Sequence, residues 1–239
     1  MNKQVYEKFT KEQVTEDMLK DASRLFSENY GVWGSRVRLS KDRLRAQYLP
    51  ENTTCYYARV TVDGYLAGNA FACRWAYNDK SVLWVTQLVV DRDYRERGLA
   101  IGLLNQLRQD DADIYGLMSS HPAACLAAAK AFGSSINTIQ LKFIGDHAKD
   151  VMGSSPIDYV RDAKCYGSVF DLGDTSGLVS SVDTGFFVDH TEPLEALEWV
   201  QQESELSWPL GELLDGYEFL LILKARRRAR SRSRSKQAC

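Results

Sequence analysis

Residues 81–133 constrain the fold more than any other part of the chain, because an apolar strand, a short arginine–glycine loop and an amphipathic helix follow one another there without a gap. Residues 81–90 read S-V-L-W-V-T-Q-L-V-V, β-branched and apolar over a length that suits a strand buried on both faces, and Asp91 and Asp93 end it. Arg95, Glu96, Arg97, Gly98, Leu99 and Ala100 come next, and then Ile101, Leu103, Leu104 and Leu107 recur at helical spacing towards Asp110. The first amides of a helix lack intrahelical partners and carry the positive end of its dipole, so this strand–loop–helix can hold an anion. Gly98, lacking a Cβ, lets a phosphate approach the backbone, although the same residue also serves as a plain turn between a core strand and a core helix. A further apolar strand at 114–119 and an alanine-rich helix opened by His121 and Pro122, ending near Gly133, complete the stretch.

Two widespread phosphate loops are excluded by their own requirements. A nucleotide-hydrolase loop needs a Lys-Ser/Thr pair behind its glycines and a dinucleotide-binding turn needs three spaced glycines; neither is present. What stands here is R-x-x-G-x-A behind a Val-Val strand end. Upstream, residues 58–62 and 65–68 flank Asp63-Gly64, the pattern of a strand, a tight turn and a second strand. In this hairpin, this loop and the helices that follow, over about residues 54–133, the chain resembles the GNAT superfamily of acyl-CoA-dependent N-acetyltransferases. The resemblance implies a mixed, mostly antiparallel twisted sheet flanked by helices, with acetyl-CoA (coenzyme A) as acyl donor. By resemblance, the backbone of Arg95, Glu96, Arg97, Gly98, Leu99 and Ala100 holds the pyrophosphate, and Leu88, Val89 and Val90 pair with the pantetheine arm. Tyr30 and Trp33, in the connection between the first two helices, become candidates for the substrate wall with Gln87, although aromatic residues also anchor loops to a core.

Acyl transfer to an amine sets three requirements. The amine, with a reference pKa near ~10.4, must lose a proton; the developing oxyanion needs preorganised donors; the leaving thiolate needs a proton. Many GNAT enzymes place a glutamate just before the L-x-V of the fourth strand and a tyrosine in the helix after the fifth. This chain has Gln87 and the run Ala127-Ala128-Ala129. An amide takes no proton at neutral pH. Candidate catalytic residues are therefore His121, at the opening of that helix, and Asp189 and His190 from a late strand expected at 185–190. Cys125 reads as core packing.

At 239 residues the chain suits one large domain or two small ones, and no apolar run is long enough for a membrane span. Five scattered cysteines (Cys55, Cys73, Cys125, Cys165, Cys239) form no disulfide framework or paired-ligand zinc pattern, and His121, His147 and His190 are far apart, so no metal is expected. The net charge of −2 hides an asymmetry: eight basic residues and no acid lie between Lys224 and Lys236, which leaves −10 on the rest. Residues 225–239 read as a disordered Arg/Ser-rich tail, with nuclear targeting or RNA contact as its functional alternatives.

Along the chain, an entering strand at 5–9, a helix capped by Thr15, a short helix capped by Ser40 and then a three-strand meander argue for a mixed α/β sheet. Residues 134–183 loosen into a helix at 141–152 and loops, and are expected to be an insertion that sets substrate choice. A helix at 193–202 and a last strand at 217–223 complete a domain of residues 1–224 with a C-terminal helical elaboration. The function expected is acetyl transfer from acetyl-CoA to a small-molecule amine, in the cytoplasm or nucleus, with no membrane partner and nucleic acid reached only through the tail. The alternatives are a non-catalytic acyl-CoA-binding module and a nuclear protein acetyltransferase targeted by the tail.

Overall fold

The computed structural model describes residues 3–29, 39–133, 135–186, 189–203 and 207–225. Tyr30, Trp33 and the tail from 226 onward lie outside the described residues. In order, the elements are β1 (Gln4–Thr10), α1 (Glu16–Asn29), α2 (Lys41–Tyr48), β2 (Thr54–Val62), β3 (Tyr65–Tyr77), β4 (Lys80–Val90), α3 (Leu99–Leu107), β5 (Ile114–Ser119) and α4 (Pro122–Ala131). They continue with α5 (Leu141–Gly153), α6 (Asp158–Arg161), β6 (Lys164–Tyr166), β7 (Ser181–Asp183), α7 (Thr191–Glu203) and β8 (Tyr217–Lys224).

Local chemistry accounts for most boundaries. Thr15 Oγ1 accepts the amide of Met18 at 3.3 Å and Ser40 Oγ that of Arg43 at 3.2 Å, so both early helices start at their capping residues. Leu19, Ala22, Leu25 and Phe26 form the buried stripe of α1. The β2–β3 turn runs through Asp63 and Gly64 at φ +50° and +89°, the two left-handed residues that a two-residue hairpin requires.

The eight strands form one sheet in the order β1-β2-β3-β4-β5-β8-β7-β6. Every neighbouring pair is antiparallel except β4 and β5, which run parallel. This is the mixed, mostly antiparallel sheet flanked by helices that the resemblance implies. Phe71 and Gly68, three residues apart on β3, point to opposite faces. Tyr48 of α2 stacks on Phe71 at 5.8 Å, and a side chain at Gly68 would meet Leu103 of α3, so α2 covers one face and α3 the other.

Two expectations need correction. The late strand at 185–190 does not form across its described residues: Asp183 Oδ1 accepts the amide of Gly185 at 2.8 Å and Gly185 turns at φ +72°, so the strand is instead Ser181–Asp183. Residues 134–183, expected as loose loops around a single helix, also supply α6, β6 and β7, and β6 and β7 extend the sheet beyond β8. Among the described residues no helix is long and apolar enough to cross a membrane, and no cluster of three or more His, Cys, Asp or Glu has the geometry to hold a metal.

Candidate active site

The site begins where β4 and β5 part. Their parallel pairing runs from Val82↔Ile114 to Val85↔Leu117 and stops there, while β4 continues to Val90. Beyond Leu117, β5 pairs only with β8, Met118 opposite Leu220 and Ser119 opposite Phe219. On its other side β4 stays paired with β3, but Val85 faces Ala72 and Gln87 faces Phe71, so Thr86 is one residue too many. Such a bulge bends and twists a strand, and this one coincides with the parting of the sheet.

The open half of β4 carries polar groups in want of partners. Thr86 and Gln87 are buried, yet Thr86 Oγ1 and both amide atoms of Gln87 lack a partner in good hydrogen-bond geometry, their polar neighbours being the Cys73 thiol and the Tyr48 hydroxyl. Asn69, opposite Val89 on β3, is also buried with both amide atoms unpaired. Each such group costs about 1–3 kcal/mol, so Thr86 and Gln87, beside the opened strand edge and on the cavity wall, leave a place for a polar ligand, while Asn69 lies on the paired side of β4.

A cavity of about 700 Å³ fills the parting, and Thr86, Gln87, Leu88, Leu117, Met118 and Ser119 line it. Tyr48 of α2 and Tyr159 of α6 stand edge to face on its wall at 6.3 Å, and Tyr159 meets Phe186 at 6.0 Å. The Tyr159 hydroxyl donates to the carbonyl of Thr86 at 2.9 Å, which ties α6 to the bulge. Burial pushes the Tyr48 phenol well above its usual range. Glu218 of β8 also lines the cavity; its Oε1 accepts from Thr184 Oγ1 at 2.8 Å. Burial raises the Glu218 carboxyl above the usual carboxylate range, and the Thr184 hydrogen bond opposes that rise.

At the far end of β4 the loop has the shape of an anion cradle. Glu96 at φ +62° and Gly98 at φ +76° bend it, and among the described residues no acceptor takes the amides of Glu96, Arg97 or Gly98. A Cβ built on Gly98 would meet nothing within 4 Å, so this turn faces open space just before α3. Free amides on alternating backbone conformations, ahead of a helix, form a concavity suited to phosphate. The Arg95 guanidinium is already engaged by Glu192 of α7, by the Asn29 carbonyl at 2.9 Å and by the Val90 carbonyl at 3.4 Å. Arg97 donates to the Asp93 carbonyl at 2.9 Å and lies over the Tyr94 ring. The loop's room for an anion therefore rests on its amides more than on its arginines.

Of the residues singled out from the sequence, Gln87 and Leu88 line the cavity, Val89 and Val90 continue the open edge, and residues 95–100 form the loop beyond it. His121, Asp189 and His190 are not on the cavity wall. His121 Nδ1 accepts the amide of Ala123 at 3.2 Å as the cap of α4, and its Nε2 lies 3.7 Å from Glu192. Burial lowers the His121 pKa, and the Glu192 carboxylate works against that shift. Asp189 Oδ1 accepts the amide of Thr191 at 2.7 Å, and His190 is buried with Nδ1 unpaired, its pKa lowered by burial. Cys125 is fully buried and burial pushes its thiol up, as suits a packing residue.

Sequence reasoning missed Tyr159 and Glu218. Glu218 left a trace, a lone charge in the apolar run Y-E-F-L-L-I-L. Nothing around Tyr159 marked it.

No protein-family model matches the chain, and no curated protein matches it. Solved structures do, over part of its length. A glucosamine N-acetyltransferase region of a fungal multi-domain β-N-acetylglucosaminidase matches at TM-score 0.39 and 17% identity, over 49% of this chain and 14% of that one. The ribosomal-protein-S18-alanine N-acetyltransferase of Escherichia coli matches at TM-score 0.37 and 19% identity, over 54% of this chain and 77% of that one. The PaiA N-acetyltransferase of Thermoplasma acidophilum, solved with coenzyme A, matches at TM-score 0.35 and 16% identity, over 48% of this chain and 79% of that one. At these scores the likeness carries no argument about this chain's chemistry. A putative acetyltransferase of the GNAT family from Desulfovibrio desulfuricans is among the solved structures matched, at TM-score 0.38 and 13% identity over 49% of this chain and 74% of that one.

Proposed function

We propose that the chain is an acetyl-CoA-dependent N-acyltransferase acting on a small-molecule amine. The observation that carries this reading is the parting of β4 from β5 at Val85, with unpaired buried polar groups at Thr86 and Gln87 and an uncovered amide loop at the far end of the same strand. An extended polar arm fits along the open edge of residues 86–90, and a diphosphate fits the amides of residues 96–98. Acetyl-CoA supplies an activated acetyl group as a thioester. The chain's own part is to bind the coenzyme along β4, present backbone donors from the open edge, exclude water with Tyr48 and Tyr159, and receive the amine in a cavity of about 700 Å³, a volume suited to a small molecule.

A second reading has one observation in its favour. Gln87 takes no proton, so a chain that binds acyl-CoA without turning it over is the alternative. Calorimetry with acetyl-CoA, followed by coenzyme release over a panel of amines, separates the two. Uptake with turnover supports the transferase, uptake without turnover supports the binding module, and no uptake removes both.

A further inference from the structure

We propose that Glu218 is the base and the anionic docking point for the acceptor, and that the acceptor is a primary amine carried on an apolar body. This deepens the acyltransferase reading and rests on it for the transfer step. Glu218 stands one residue beyond the last β5–β8 pair, Ser119↔Phe219, and shares a sheet face with Leu220 and, through it, with Met118. Its side chain therefore enters the parting from the β8 side, across from Thr86 and Gln87, which line the same cavity.

The carboxylate has a hydrogen bond but no cation. Thr184 Oγ1 donates to Oε1 at 2.8 Å, and no arginine or lysine pairs with it among the described residues. Glu218 is half-buried, and a carboxylate partly withdrawn from water without a counter-ion is unfavourable, which an arriving ammonium relieves. The other acid on the wall, Asp158, is exposed and already paired with Arg161 at 2.8 Å. Arg43 and Tyr48 reach the cavity from α2, Tyr159 from α6 and Gln87 from β4, while Cys125 of α4 packs nearby with its thiol raised by burial. None of these is a base at neutral pH. Burial lifts the proton affinity of Glu218 towards the range where a carboxylate accepts and returns protons readily. Around it, Phe26, Leu39, Pro50 and Phe186 supply an apolar wall for the rest of the acceptor.

The step balances as follows. The acceptor ammonium gives one proton to Glu218 and becomes a neutral amine. Its nitrogen lone pair forms the new C–N bond to the acetyl carbon as the C–S bond breaks, and a second nitrogen proton passes to the departing sulfur. The products are the N-acetyl amide and free coenzyme A, and Glu218 returns its proton to solvent.

The test uses 2-phenylethylamine as probe. In Glu218→Gln, its affinity for the coenzyme-free protein, read by calorimetry, is expected to fall about tenfold, one charge-assisted contact being lost. In the same variant kcat/KM is expected to fall about 100-fold or more and the acid limb of its pH profile to vanish, while acetyl-CoA affinity is unchanged. Thr184→Val keeps the carboxylate but removes the hydrogen bond that lowers its pKa, so the acid limb is expected to move to higher pH, a change a merely structural role would not produce. Unaltered probe affinity in Glu218→Gln, or a kcat/KM within threefold of the parent chain, overturns the proposal. If Glu218→Gln does not fold, an unmoved acid limb in Thr184→Val overturns it instead. If the parent chain takes up no acetyl-CoA, the acyltransferase reading fails by itself, and the probe affinities still decide whether Glu218 holds an amine.

Discussion

The two halves of β4 obey opposite rules. From Val82 to Val85 the strand is paired on both sides, and Trp84 packs over Gly116 of β5 and beside Trp75 of β3. From Thr86 to Val90 it is paired on one side only, and it keeps buried polar atoms without partners. One half is built for stability and the other gives stability up. The difference teaches where a ligand belongs: unmet hydrogen-bonding capacity that costs the empty protein is what a ligand can satisfy.

Four substitutions can break or sharpen this contrast. The largest effect belongs to the paired half. Gly116→Ala drives a methyl group into the Trp84 ring, so a loss of about 3 kcal/mol is expected for overpacking, seen in chemical denaturation. An unchanged midpoint would remove the claim that this half is tightly packed. Next comes Gly98→Val at the loop. Its left-handed φ and its position among free amides lead to an expected loss of about 2 kcal/mol in acetyl-CoA affinity, roughly 30-fold by calorimetry. Undiminished uptake would detach the loop from the coenzyme.

Gln87→Leu tests the open half in the opposite sense. Removing an unsatisfied buried amide is expected to stabilise the protein by about 1 kcal/mol, a Tm rise of about 3 °C, while acetyl transfer falls. A drop in Tm would mean that Gln87 is a structural residue. The smallest effect is at Glu192, whose carboxylate engages Arg95 and lies 3.7 Å from both Arg92 and His121. Glu192→Gln frees these groups for phosphate, and about a threefold gain in coenzyme affinity is expected, in keeping with ~0.6 kcal/mol for a half-exposed ion pair. A loss of affinity would show that Glu192 positions Arg95 for the ligand.

Much of the fold was legible because its signals are local. The caps Thr15 and Ser40, the Asp63-Gly64 turn, the apolar run of β4 and the spacing of α3 each depend on neighbours within a few residues. The loop at 95–100 was legible for the same reason. The catalytic candidates were a different matter. His121 carries a chemistry that suits catalysis, but its ring is used to cap α4, and a sequence does not say which backbone amide a side chain will meet. Tyr159 and Glu218 reach one cavity from segments nearly sixty residues apart, by way of a short helix and a strand that packs beside β5.

By itself, the sequence determined most elements up to α4, the hairpin and the strand–loop–helix with its glycine, since period, capping and turn chemistry act over short range. Only the tertiary structure decided that β4 parts from β5 at Val85, and that Thr86, Gln87, Tyr159 and Glu218 share the space so made. Strand pairing, register and the meeting of distant side chains are set by packing across the sheet, and that packing exists only once the chain has folded.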